Sequence, residues 1–308
     1  MVHKIKNKFS NFVWSILEVS FCPKNSKNPI EVRFKKIYIE ISNSCNFNCS
    51  FCFRSQRIKR FMSADEFRYV AREVKLFTDY IYLHVLGEPL LHPHFREILQ
   101  IASGENLKVN ISTNGSLLAK HADYLLKNPV RQLNVSLHDA EENVPKEKWG
   151  EFILSMLEIA KSLSAKSYIN FRLWNQTNEA SNEFNQLCFR LIQDFFHLPD
   201  HFQLISEKER NITLSPKIYL QLAPRFEWTD TIESEKKICY GLRDQIAILS
   251  DGNVVPCCID ADAHLLLGNI FSDKFSEILL SARAQRIRKG FEQHRAVEDW
   301  CRKCGFRV

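Results

Sequence analysis

The chain has 308 residues, of which 45% are hydrophobic and 25% charged, an ordinary globular mix that excludes disorder, a collagen repeat and a coiled-coil rod. Its ten cysteines are too few for a small disulfide scaffold, and no apolar run reaches the roughly 18 residues that a membrane span needs. The net charge of +6 is lopsided: residues 1–60 carry twelve Lys/Arg against three Asp/Glu and the remainder thirty against thirty-three, so a general nucleic-acid surface is not expected.

Residues 1–35 form a basic N-terminal segment. Lys4, Lys6 and Lys8 precede an apolar stretch with Phe9, Phe12, Val13, Ile16 and Leu17 on one helical face. Asn11, Ser15 and Glu18 interrupt it and no small-residue cleavage site follows, which argues against a signal peptide. The face either packs on the main domain or lies on a membrane surface or a partner. A cytoplasmic, reducing compartment is then expected, where clustered cysteines read as metal or redox sites.

Beyond this segment strand and helix patterns alternate. Strands are predicted over 36–42, 80–85, 107–112, 132–137 and 167–173, with a sixth between 202 and 222. Helices are predicted over 63–77, 93–103, 116–126, 146–163 and 179–196. The first has Ser63 as N-cap and Glu66 three residues on, a capping box. Six such β–α units imply a parallel α/β sheet with outer helices, curved as a partial (β/α)6 barrel over residues 36–225, with chemistry at the C-terminal strand ends. From about residue 226 the pattern changes to a smaller α+β module. A hairpin is predicted at Asp251-Gly252, then a helix over 276–291.

The cysteines are clustered. Cys45, Cys49 and Cys52 stand at C-x3-C-x2-C on the loop after the first strand. Three thiols without a local fourth ligand fit a cubane iron–sulfur cluster with one iron left open, whereas zinc usually takes four ligands. Cys239, Cys257, Cys301 and Cys304 fall in the C-terminal module, with Cys258 as a rival to Cys257. Four sulfurs there suit zinc or a fully ligated iron–sulfur cluster. Cys188 reads as a buried thiol, and His84, His92, His94 and His138 as pocket lining or satisfied polar groups ahead of catalytic bases.

The sequence C-x3-C-x-aromatic-C after a first strand resembles the radical S-adenosylmethionine (radical SAM) superfamily. Leu86-Gly87-Glu88-Pro89 is similar to that family's GGEP motif, with Leu86 in place of its first glycine. Thr113-Asn114-Gly115 resembles its TNG turn and Val135-Ser136-Leu137 its V-S-L segment. The resemblance implies that Cys45, Cys49 and Cys52 hold a 4Fe–4S cluster whose open iron is chelated by SAM. It implies SAM contacts at Gly87, Glu88, Pro89, Thr113, Asn114 and Ser136, with Phe51 beside adenine and the Phe53 backbone on its edge. Arg172 is the expected partner of the SAM carboxylate.

Residues 252–257 (GNVVPC), Asp260 and 267–270 (LGNI) are similar to the SPASM/twitch extension of such barrels. That extension implies an auxiliary 4Fe–4S cluster on Cys239, Cys257, Cys301 and Cys304. No cysteine follows Cys304, which favours the one-cluster twitch pattern. The implied activity is reductive cleavage of SAM to a 5′-deoxyadenosyl radical, which abstracts hydrogen from a small-molecule or peptide substrate. An external one-electron donor of flavodoxin or ferredoxin type is expected. The readings from other classes are a non-catalytic zinc or iron–sulfur module, RNA-interacting in one version, and a pure electron-transfer protein.

Overall fold

The computed structural model describes residues 32–176, 182–199, 202, 210–225 and 238–305. The amphipathic stretch and Cys22 lie outside the described residues, as does the start of the helix predicted from 179.

Strands β1 (Lys36–Ile39), β2 (Tyr80–Tyr82), β3 (Lys108–Thr113), β4 (Gln132–Ser136) and β5 (Tyr168–Gln176) pair in parallel in chain order. Where one sixth strand was predicted there are two, β6 (Asn211–Ser215) and β7 (Ile218–Pro224), paired antiparallel. Pro216 cannot donate to a ladder, and Lys217 turns at φ 64°, so the chain folds back there. It is β7 that continues the parallel order beside β5.

The connections are helical: α1 (Ala64–Val74), α2 (Phe95–Gly104), α3 (Leu118–Lys127), α4 (Ala140–Asn143), α5 (Trp149–Leu163) and α6 (Glu183–Phe196). The predicted capping box opens α1. Ser63 Oγ accepts from Glu66 N (3.1 Å) and Glu66 Oε2 from Ser63 N (2.7 Å). The helix predicted from 146 begins with a 3-10 turn, Lys146–Lys148. Cys188 is fully buried in α6, as expected.

Side chains alternate across a strand. One sheet face, with Ile37, Ile81, Ile111, Leu133 and Phe171, joins the helices' Phe67, Ile98, Leu125 and Leu157 in one core. The inner face is polar. Gln132 Nε2 donates to Asn134 Oδ1 (2.8 Å), and Asn170 Nδ2 reaches Asn134 and Gln221, both at 3.4 Å. Such pairing is what lets amides lie inside a fold.

In the C-terminal part, β8 (Gln245–Ile248) pairs in parallel with β1 on the edge away from β2. It turns through Gly252 (φ 85°) into antiparallel β9 (Asn253–Val255), which pairs with β10 (Gly268–Asn269). The single helix predicted over 276–291 is two, α7 (Phe275–Leu280) and α8 (Ala282–Glu292). Ser281 adopts extended backbone between them and its side chain accepts from Ala284 N (3.3 Å), so an N-cap interrupts the helical pattern. Helix α9 (Asp299–Lys303) follows.

Candidate active site

The C-x3-C-x2-C loop leaves the C-terminal end of β1. Cys45 and Cys52 are exposed and Cys49 is buried. Side-chain amides face two of the sulfurs: Asn114 Nδ2 lies 3.7 Å from Cys45 Sγ and Asn143 Nδ2 3.2 Å from Cys49 Sγ. The loop is anchored from α4. Asn143 Oδ1 accepts from Asn48 N (2.7 Å), and Glu142 accepts from the N–H and hydroxyl of Ser50 (2.5 and 2.7 Å). Neither Glu142 nor Asn143 stood out in the sequence, because their partners are more than ninety residues away.

Burial raises all three thiols, Cys49 to about 12, and the Asp139 carboxyl adds to the rise at Cys49 and Cys52. Thiolates here therefore need a positive group among them, which iron supplies. Three soft donors with amide N–H groups aimed at sulfur fit an iron–sulfur cluster. Among the described residues no three His, Cys, Asp or Glu converge on a single metal ion. A cubane does not require that convergence, because each cysteine binds its own iron.

Gly87 turns at φ 75°, and a Cβ there would meet Ser42 O at 2.4 Å and Ser44 O at 2.7 Å. The missing side chain lets the β2 loop lie against the backbone leading into Cys45. Glu88 N donates to Ser44 O (2.9 Å). The buried Glu88 carboxylate accepts from Leu90 N (2.9 Å), Thr113 Oγ1 (2.8 Å) and Asn114 N (2.8 Å). It braces the ends of β2 and β3 and keeps room for about one further donor. Burial pushes its pKa up to about 7. Pro89 opens the 3-10 turn Pro89–Leu91.

Ser136 ends β4 opposite Arg172 in register. Phe51 lies 5.6 Å from the His138 ring with the Arg225 guanidinium 4.7 Å from its centroid. The Phe53 N–H is turned to the Cys52 sulfur. Of the histidines, His138 Nδ1 lies 3.1 Å from Arg172 O and its Nε2 3.2 Å from Asp139 Oδ1. His92 Nε2 reaches Met62 O at 2.8 Å.

A buried ion pair ties this loop down. Arg57 Nη2 donates to both oxygens of Glu40 (2.7 and 2.8 Å) and Arg57 Nε to Ala261 O (2.6 Å). Glu40 also accepts from Leu86 N (3.2 Å) and Ser250 N (3.0 Å), and the Ser55 hydroxyl donates to Asp262. Sequence reading passed over this clasp. Its signal was a charged residue, Glu40, between Ile39 and Ile41 at the end of a strand.

Cys239, Cys257, Cys301 and Cys304 line a single cavity walled by apolar groups including Leu265, Phe291 and Trp300. Cys258 is bonded to the Tyr38 hydroxyl and packs with Tyr38 and Leu249. Burial and the neighbouring thiols raise Cys239, Cys257 and Cys301. Trp300 is stacked on His264 at 3.9 Å. Four thiols lining one small apolar cavity fit a fully ligated cluster, in which each cysteine binds its own iron.

A three-thiol loop beside a strand-end turn, with a second, four-thiol cavity, is the arrangement of an α/β protein suited to two iron–sulfur clusters. Residues 39–171 match the family model of the radical SAM superfamily, and residues 239–305 that of the SPASM iron–sulfur cluster-binding domain. The chain therefore carries a radical SAM domain followed by a SPASM iron–sulfur domain.

It is 28% identical over 157 residues to a GTP 3′,8-cyclase of Synechocystis sp., covering 48% of each chain. It is 24% identical over 320 residues to an AdoMet-dependent heme synthase of Methanosarcina barkeri, covering 86% of each. The chain spans about half the length, or less, of the first curated relatives it matches. In fold it is similar to BtrN in complex with AdoMet and 2-DOIA, at TM-score 0.56 and 17% identity over 90% of this chain and 95% of that one. It is also similar to Streptococcus suis SuiB bound to precursor peptide SuiA, at TM-score 0.57 and 19% identity over 89% and 70%. Among the described residues no helix is long and apolar enough to cross a membrane.

Proposed function

We propose that the protein is a radical SAM enzyme that reductively cleaves SAM and abstracts hydrogen from a small-molecule or peptide substrate, with an auxiliary cluster assisting electron transfer. The observation that carries the reading is the Cys45–Cys52 loop, with amide donors from Asn114 and Asn143 on two of its sulfurs, beside the Gly87–Glu88 turn. Cys45, Cys49 and Cys52 would hold the first 4Fe–4S cluster, and Cys239, Cys257, Cys301 and Cys304 the second. When bound, the first cluster and SAM supply a 5′-deoxyadenosyl radical.

The residues of the chain do the binding and placing. Gly87, Glu88, Pro89, Thr113, Asn114 and Ser136 would hold SAM beside the first cluster. Phe51 offers a ring face for adenine, and the Phe53 backbone lies next to it. Asn114 and Asn143 stabilise thiolate over thiol by donating to sulfur. Phe291 and Trp300 line the cavity of the second thiol set. An external one-electron donor of flavodoxin or ferredoxin type and a cytoplasmic setting complete the reading. Relatives named for GTP cyclisation and heme synthesis, and a structural neighbour bound to a precursor peptide, support both substrate classes.

The test is anaerobic reconstitution with a metal count and an assay for 5′-deoxyadenosine under dithionite. About eight irons per chain and SAM-dependent product are expected. Zinc in place of iron, or no SAM cleavage, overturns the reading.

A further inference from the structure

The inner face of the sheet carries a positive charge that, among the described residues, no carboxylate pairs with directly. Arg172 on β5 lays its guanidinium on the Trp174 ring at 4.5 Å and donates from Nη1 to Ser112 Oγ at 3.0 Å. Arg172 Nε and Trp174 Nε1 are buried donors without an acceptor. Two residues apart on one strand, they share a face and sit about 7 Å apart along it.

The groups packed around Arg172 are cationic or neutral, apart from the Asp139 carboxyl, which attracts it from beyond ion-pair distance. Lys36 lies 5.5 Å from the ring centroids of Tyr38 and Tyr82, and His84 packs edge-on against both rings. Burial, then Arg172 and Lys36, push His84 down to about 3, so it stays neutral. The nearby carboxylates are engaged elsewhere: Glu40 by Arg57, Glu88 by three donors and Asp139 facing His138. Among the described residues none is within ion-pair distance of Arg172.

A desolvated guanidinium without an anion is costly, and the indole face offsets only part of that. Two unmet donors add to the cost. The arrangement is completed by an oxyanion, and the planar fork of Arg matches a carboxylate.

We propose that the inner face of the sheet takes a substrate bearing a carboxylate, which docks on Arg172 with the Trp174 indole N–H as a second donor. The proposal rests on the radical SAM reading and deepens it. It also moves Arg172 from the SAM carboxylate, its expected partner by resemblance, to the substrate. Its Nη1 turns to Ser112 on the inner face, and none of its bonds goes to residues 45–52.

The test is calorimetric titration of benzoate into the reconstituted protein with SAM present, after iron and SAM binding have been measured separately. Saturable binding of one benzoate per chain is expected. R172Q should weaken it more than about tenfold, because an ion pair is lost. W174F keeps an aromatic face under the guanidinium, smaller than the indole, and loses the N–H, so about threefold is expected. The SAM dissociation constant should move less than that of benzoate in both variants. Absence of saturable benzoate binding overturns the proposal, as does tighter binding of inorganic phosphate. A loss of SAM affinity equal to that of benzoate also overturns it, because the anion is then SAM's own. If R172Q does not fold, W174F decides by the same comparison. Missing iron or missing SAM binding would instead sink the reading beneath it.

Discussion

Cys45, Cys49 and Cys52 sit on one short loop with two thiols exposed, whereas Cys239, Cys257, Cys301 and Cys304 come from separate segments and meet in a cavity walled by Phe291 and Trp300. The loop has no helix or strand of its own. Its shape is borrowed from side chains elsewhere: Asn114 after β3, Glu142 and Asn143 in α4, and Glu40 through Arg57. The cavity is shaped by apolar packing and by the C-x2-C turn of α9, where Cys304 N lies 3.4 Å from Cys301 O. A loop held by polar bonds at the mouth of a sheet leaves one side open for a small molecule. A walled cavity whose sulfurs already number four does not. The Arg57 clasp joins the two regions, because Ala261 lies four residues beyond Cys257.

The largest effect that can break this comparison comes from removing thiols. A C45A/C49A/C52A variant should lose about four of about eight irons and all 5′-deoxyadenosine formation. C239A/C301A should lose a similar amount of iron yet keep SAM binding at the first site. Iron analysis and anaerobic SAM titration check both, and a C239A/C301A protein with full iron would remove the second site.

The clasp comes next. R57A strands the Glu40 carboxylate, and a loss of about 3–5 kcal/mol is expected in denaturant unfolding. An E40L/R57M pair should recover most of it, since no charge is then left unpaired. Full stability in R57A alone would show that the loop does not depend on the C-terminal part.

A smaller difference separates two glycines. Gly87 and Gly252 both turn at positive φ, which costs an alanine about 1–2 kcal/mol. At Gly87 the new methyl meets the carbonyls of Ser42 and Ser44, whereas at Gly252 it meets the Phe271 ring at 2.4 Å. A side chain can rotate away and a backbone carbonyl cannot. G87A should therefore cost more than G252A in thermal unfolding and should alone weaken SAM binding.

The pH dependence is the mildest probe. Burial raises Glu88 and Asp139 to about 7, so the folded chain holds their protons between the ordinary carboxyl range and about pH 7. The folded state then binds more protons than the unfolded one, and stability falls as pH rises through that window. Burial lowers His84 to about 3 and His138 to about 4, with the opposite sign: stability rises with pH up to the ordinary histidine value. E88Q removes one falling contribution. Its stability relative to the wild type should therefore improve from about pH 4.5 to about pH 7 in denaturant titrations.

Features built within a few residues were legible before any coordinates. The Ser63–Glu66 capping box, the Asp251-Gly252 hairpin and the C-x3-C-x2-C spacing depend on neighbours along the chain, and backbone geometry decides them locally. The strand and helix order was legible for the same reason, from periodicity. The misreadings at Pro216 and Ser281 came from averaging a pattern across one residue whose backbone behaviour overrides it. The inner-face pair of Arg172 and Trp174 was half legible, as an arginine on a strand. Its stacking, and the absence of a carboxylate partner among the described residues, were not.

The sequence by itself determined which atoms are available: seven thiols in two groups, a glycine where only a glycine fits, and a carboxyl immediately before a 3-10 turn. Tertiary structure decided where those atoms face. Cys257 and Cys258 are adjacent, and nothing in the thiol chemistry separates them. Packing on Tyr38 turns Cys258 toward the inner face and leaves Cys257 at the cavity with Cys239, Cys301 and Cys304. Spacing along the chain limits which residues can meet. Only strand register and the long-range bonds of Arg57, Asn114 and Asn143 select the ones that do.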